Sequence, residues 1–209
     1  MNSNYTWKES FHNKKFVISF ILIIIALIFT LIFLTRYLLF VESRPGFSFD
    51  DPILKMFNAV ELNWFIFPLI YLSIISGFYF LFKSPKDLFI AISAYLLLVW
   101  VRILFMYVLP LNPPIGTIDL KDPLIFVIGV GQKITKDLFF SGHTSIVFLI
   151  FLSVKNNKMK IIFLVAAILV GLFMMIQKAH YSVDVFVAPF VAFAVYKISE
   201  KIFSKSFQI

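Results

Sequence analysis

The chain contains no cysteine, only three histidines, and few charges for its length: 14% of its 209 residues are Asp, Glu, Lys or Arg. The missing cysteine excludes disulfides and thiolate metal ligands and leaves the compartment open. Internal repeats, low-complexity segments and an appended soluble domain are also absent. What is abundant is apolar: 61% of residues are hydrophobic, and Phe alone occurs 28 times. A soluble domain of this size has no way to hide so much apolar surface. Windows of about 20 apolar residues, enough for a hydrocarbon core of roughly 30 Å, recur along the chain. The sequence reads as an all-α, polytopic membrane protein.

Six spans are expected, over about 16–35, 63–82, 88–109, 138–154, 159–177 and 182–198. They make one membrane domain over 16–199 between short tails, 1–15 and 200–209. The first apolar run follows Lys14 and Lys15 as a signal peptide would. It lacks a small-x-small cleavage pattern and is read as a retained helix.

Charge fixes an orientation. With the N-terminus inside, the tails, the segments 83–87 and 155–160 and Lys197 at the inner end of the last span carry eleven cations against Glu9, Asp87 and Glu200. The remaining segments hold eight cations and eight acids, so the whole net charge of +8 lies on one side. That is the positive-inside pattern. The basic balance reports topology and removes the reason to expect a nucleic-acid partner. Both termini are then cytoplasmic, and the polar motifs fall at the outer face, whether periplasmic, extracellular or luminal.

Those motifs are "KDLFFSGHTS" at 136–145 and "QKAHYSVDVF" at 177–186. His180 and Asp184, four apart, are neighbours if both lie on one helix. A carboxylate on one imidazole nitrogen fixes the tautomer and leaves the other nitrogen free to attack. The competing reading is a buried pair with a purely structural role, and a helix beginning after His180 would leave that residue in a turn. His143 tilts the comparison towards chemistry, because it falls at the same face. Ser141 can cap the fourth helix, so that Gly142, His143 and Thr144 present free N–H groups, a natural anion site. Two histidines around an anion pocket suit phosphoryl transfer, one attacking phosphorus and one protonating the leaving oxygen.

The stretches "FFSGHT" and "HYSVD", with His143 and His180 standing 37 positions apart, resemble the paired motifs of the sphingomyelin synthase family. That family lies within the type 2 phosphatidic acid phosphatase superfamily. Arg102 ahead of "LPLNPP" and "FDDPIL" after the first span extend the resemblance over roughly 45–195. It implies a six-helix bundle with an exoplasmic site, His180 as nucleophile, Asp184 as its orienting partner and His143 as general acid/base. It also implies a metal-free mechanism without a cofactor. Two departures set the chain apart from the phosphatases. No arginine precedes His180 in "FMMIQKAH", and Arg44-Pro45 lacks the upstream lysine, position 37 being Tyr.

The phosphate-binding cation is therefore sought elsewhere. Arg102 is the first candidate, since an arginine near the bilayer boundary must pair, snorkel or serve a site. Its planar fork matches phosphate. Lys136 and Lys178 flank the histidine motifs and read either as added positive charge or as solvated loop residues. Asp50 and Asp51 would contact a headgroup or cap a helix. The expected activity is transfer of a phospho-headgroup from a phospholipid to a lipid alcohol, ceramide or diacylglycerol. Hydrolysis of a lipid phosphate or pyrophosphate is the alternative. A transporter is disfavoured, because the inner halves of the spans are nearly bare of polar groups.

Overall fold

The structure is a computed structural model that describes residues 6–122 and 134–204. Residues 123–133 of the loop before the first histidine motif, with Lys133, lie outside the described residues, as do the outermost tail residues, including Lys205. Seven α-helices carry the described chain: α1 (Trp7–His12), α2 (Lys14–Ser43), α3 (Asn63–Leu81), α4 (Pro85–Val108), α5 (Gly142–Ser153), α6 (Asn157–Ile176) and α7 (Ser182–Ser204). Among the described residues there is no β-strand, only an isolated parallel bridge between Phe47 and Leu111. The all-helical expectation holds.

Helix starts follow local chemistry. Thr6 and Glu9 form a capping box at α1, and the Asn13, Ser84 and Asn156 side chains accept N–H bonds at the starts of α2, α4 and α6. Each takes up a donor that the first turn cannot satisfy internally. Pro85 sits in the first turn of α4, where its missing N–H costs nothing.

Five helices are long and apolar enough to cross a bilayer: α2, α3, α4, α6 and α7. The fourth expected span is different. Instead of running over 138–154, its helix has 12 residues and starts at Gly142, giving about 18 Å of length. Leu138 and Phe140, read as the first turn of a span, are buried ahead of the helix. The short helix is sheltered because α3, α4, α6 and α7 all contact it. A helix enclosed by protein need not match the thickness of the lipid.

Small residues set how closely the helices approach. A Cβ on Gly77 of α3 would lie 2.6 Å from the Ile150 side chain of α5, and one on Gly171 of α6 would lie 2.8 Å from Val185 of α7. Ala94 of α4 and Ala188 and Ala192 of α7 are completely buried in one cluster. Such positions let membrane helices pack by van der Waals contact, where no hydrophobic force separates helix from lipid. By contrast α2 packs mainly on α4 and leaves Ile18, Leu22, Ile25, Phe29 and Ile32 more than half exposed. That surface suits contact with acyl chains; in water it would be an aggregation hazard.

The alternation of helices separates two ends. At one, Trp7 donates to the Phe82 carbonyl, and Lys155 reaches Asp87 and the Tyr196 hydroxyl. At the other end lie both histidine motifs, with the long connections between α2 and α3 and between α4 and α5.

Candidate functional site

The site is built where α5, α6 and α7 meet the long loops. The Ser141 backbone N–H donates to the Asp184 carbonyl at 3.1 Å, which ties the start of α5 to the first turn of α7. Gly171 gives the same level of the bundle its closeness, since a Cβ there would touch both Val185 and Thr144. The two histidine motifs are therefore held side by side.

His180 lies ahead of α7 rather than on it. Asp184 folds back over the first turn, and its Oδ2 stands 3.3 Å from His180 Nδ1 while accepting the Tyr181 N–H at 3.1 Å. This is the reach of an acid three residues into a helix towards its cap. The four-residue spacing works, but across a turn and not along a helical face. Both side chains are inaccessible, His180 at 2% and Asp184 at 0% exposure. With the proton assigned to Nδ1 by this contact, Nε2 is the nitrogen left to react.

At α5, Ser141 is the cap its sequence suggests. Its Oγ accepts from the Thr144 N–H at 3.4 Å and from the Thr144 hydroxyl at 3.0 Å. Thr144 is thereby occupied, so of the three N–H groups expected to be free only those of Gly142 and His143 lack a partner among the described residues. His143 Nε2 stands 3.9 Å from Asp122 Oδ2, and the Tyr71 hydroxyl donates to the other oxygen of Asp122. Phe67 meets the imidazole edge-on.

Arg102 reaches this point from α4. Its guanidinium lies directly on Gly142, so closely that a Cβ there would collide with Nη1 and Cζ. Nη2 stands 2.5 Å from Asp137 Oδ1 in an ion pair whose side chains are 14% and 22% exposed. The contact is a charge pairing without hydrogen-bond alignment, so both atoms are left unsatisfied. The structure thus brings Arg102, Ser141, Gly142 and His143 together.

The other candidates go elsewhere. Lys136 donates its ammonium to the Arg44 carbonyl at 2.6 Å, and its backbone N–H to Glu42. Lys178 lies over the Phe57 ring, with its backbone carbonyl held by Thr117. Asp50 forms an exposed pair with Lys55. Asp51 is buried and structural: one oxygen accepts the Ser182 N–H at 2.7 Å, the other the N–H groups of Ile53 and Leu54. Burial pushes its carboxyl up, but the bonds from Ser182, Leu54 and Ile53 outweigh that and hold it below its ordinary value.

Several contributors were not apparent from the sequence. Glu42 takes three donors from Thr135 and Lys136 and so anchors the extended lead into α5. Gln177, fully buried, bonds Leu62, Asn63, Ile118 and Asp119 and pins the α4–α5 connection over α3. Tyr181 is buried and links Asn112 to Phe49. Only Gln177 carried a sequence signal, as an amide at the end of an apolar run. A cavity of about 460 Å³ opens beside the site, lined by Glu42, Pro113, Pro114, Gly116, Thr117, Asp119 and Thr135. Neither histidine lines it.

Residues 136–201 match the family model described as PAP2 superfamily C-terminal. The matched segment is roughly a third of the chain and contains His143, His180 and Asp184. It supports membership of a superfamily that is typically enzymatic, with phosphatase and phosphotransferase chemistry on lipid-related substrates. No curated protein matches the chain.

Proposed function

We propose that this protein is an integral-membrane lipid phosphotransferase working through a phosphohistidine. The observation that carries the reading is the buried His180–Asp184 pair fastened to the start of α5, where His143 and Arg102 converge. A purely structural His–Asp pair gives no reason for a second histidine and a guanidinium at the same helix start. The family match supports phosphoryl chemistry on lipids, and the wide apolar exterior supports substrates that arrive through the bilayer.

In the proposed reaction the phospholipid phosphate lies against Arg102 and the free N–H groups of Gly142 and His143. His180 Nε2 forms a bond to phosphorus as the bond to the glycerol oxygen breaks. His143 gives its proton to that oxygen, so diacylglycerol leaves as a neutral alcohol. Asp184 stabilises the positive charge that develops on the His180 ring. An acceptor hydroxyl, from ceramide or diacylglycerol, then attacks phosphorus. Its proton passes to His143, and the phosphorus–nitrogen bond breaks. Water in place of the acceptor gives hydrolysis by the same residues, so acceptor access decides between a synthase-like and a phosphatase-like outcome. No metal or other cofactor enters this sequence of steps. Both termini are placed in the cytoplasm and the site on the exoplasmic face, supported by the one-sided distribution of lysines.

The test incubates purified protein with headgroup-labelled phospholipids, with and without ceramide or diacylglycerol. Label appearing in a new lipid only when acceptor is present establishes transfer. Label released as a water-soluble phosphate ester establishes hydrolysis. Absence of both, with a folded protein, refutes the reading.

A further inference from the structure

Among the described residues, five buried side-chain atoms have no hydrogen-bond partner: Arg102 Nε and Nη2, Asp137 Oδ1, His143 Nδ1 and Asp184 Oδ1. Buried polar atoms are almost always paired. All five belong to one corner of the molecule, around the start of α5. Arg102 Nη2 and Asp137 Oδ1 face each other as an ion pair, so a phosphoryl oxygen placed here would find its donor in the remaining Arg102 N–H groups, whereas the two carboxylate oxygens are acceptors that an anion does not satisfy.

Asp137 is the member of this group that the phosphoryl-transfer reading leaves without a task. It sits in the extended segment before α5, whereas Arg102 comes from the last third of α4. A lone guanidinium at that depth would extend towards water, because its long stem allows it to snorkel. Two features oppose this. Asp137 holds one end of the fork at 2.5 Å, and the bare backbone of Gly142 gives the fork a flat surface that any Cβ would close.

We propose that Asp137 is a positioning residue, which keeps Arg102 flat over Gly142 so that its fork and the α5 N–H groups address the same phosphoryl oxygens. This rests on the phosphoryl-transfer reading above. Asp137 touches no reacting atom in this scheme; it acts through Arg102. It also cancels the charge of Arg102, so the arginine contributes aimed donors and not a net positive field.

That cancellation makes the sign of one measurement decisive. If Arg102 served only as positive charge, removing the neighbouring anion would tighten anion binding. If position is what matters, Asp137→Asn frees the fork and weakens binding. The probe is orthovanadate, read as its inhibition constant against turnover of an aryl phosphodiester by the full-length detergent-solubilised protein. Positioning gives a weakening of about 10- to 100-fold, the range of one lost hydrogen bond to a charged group. Asp137→Glu should recover part of it. In an Arg102→Ala background, Asp137→Asn should cause no additional loss, because its route of action is gone.

Equal or tighter vanadate binding by Asp137→Asn overturns the proposal, as does a full additional loss in the Arg102→Ala background. Thermal unfolding of each variant separates these results from misfolding, and the double variant decides the matter if the single one is unstable. A folded wild-type protein that neither turns over the ester nor binds vanadate would instead overturn phosphoryl transfer itself.

Discussion

Replacing Asp184 by Asn isolates one physical contribution to the proposed nucleophile. Asp184 Oδ2 accepts from both His180 Nδ1 and the Tyr181 N–H, at 3.3 and 3.1 Å. An asparagine must therefore turn its oxygen, not its NH₂, towards this pair, or two donors would face a third. The Nδ1–H tautomer of His180 then survives, and what is lost is the negative charge beside a ring that becomes cationic on phosphorylation. At that separation and an effective dielectric constant of about 20, the lost attraction is about 5 kcal/mol. Discounted for partial compensation, this corresponds to a slowing on the order of 10³-fold. The new NH₂ would occupy the place of Oδ1, which is buried and has no partner. One unpartnered buried group thus replaces another, and the change in stability should stay small beside the loss of rate. The assay is rapid-quench formation of acid-labile, base-stable phosphoenzyme from labelled substrate, alongside thermal unfolding. Phosphoenzyme formation within tenfold of wild type in a folded Asp184→Asn protein would refute the assignment of Asp184 as the partner of a developing cation. A greater loss in Asp184→Ala than in Asp184→Asn would show that the tautomer contributes in addition.

The two histidines should separate by leaving group. His180→Ala should form no phosphoenzyme from any substrate, whereas His143→Ala should lose about 10²- to 10⁴-fold with a lipid alkoxide leaving group and recover with an aryl phosphate ester, which needs no proton. The opposite pattern would reverse the roles. Asp51→Ala removes the acceptor of the Ser182, Ile53 and Leu54 N–H groups and should lower stability by about 2–3 kcal/mol, measured by thermal unfolding in detergent. Because the carboxyl of Asp51 is held below its ordinary value, the stability it contributes is present above the unfolded-state pKa of about 3.9 and lost as pH falls through the folded value. The difference between wild type and Asp51→Ala should therefore be constant near neutral pH and shrink only in strong acid. For orientation, the chain offers a cysteine-free background. A cysteine at Ile115, exposed at the histidine end, should react with an impermeant thiol reagent in intact cells, and one at Lys158, at the other end, only after permeabilisation. The reverse labelling would invert the topology.

Features that depend on the local chain are legible in the residues themselves. Apolar run length gives the membrane class and the approximate position of the six helices from α2 to α7, because a spanning segment must satisfy its own backbone. Ser141 is recognisable as a cap, and His180 and Asp184 as a pair, since both relations close within four residues. The apolar character of Leu138 and Phe140 misleads for the same reason. Hydropathy does not distinguish a lipid-spanning turn from an extended segment buried among other helices, and only enclosure by α3, α4, α6 and α7 shows which it is.

The sequence by itself thus determined the run of long apolar helices and their order along the chain, the one-sided positive charge and the small set of polar residues on which chemistry could rest, but not the short α1 inside the segment read as a tail. Tertiary structure decided which of those residues work together. Asp51 reaches Ser182 across 131 positions and turns out to be a cap, while Glu42 holds the lead into α5 from 93 positions away. Arg102 finds Asp137 and the bare backbone of Gly142, and Lys136 is drawn off to a carbonyl. No periodicity encodes such partnerships. They depend on how closely Gly77, Gly171 and the buried alanines allow the helices to approach, and on loops whose hydrogen bonds close only after the bundle has formed.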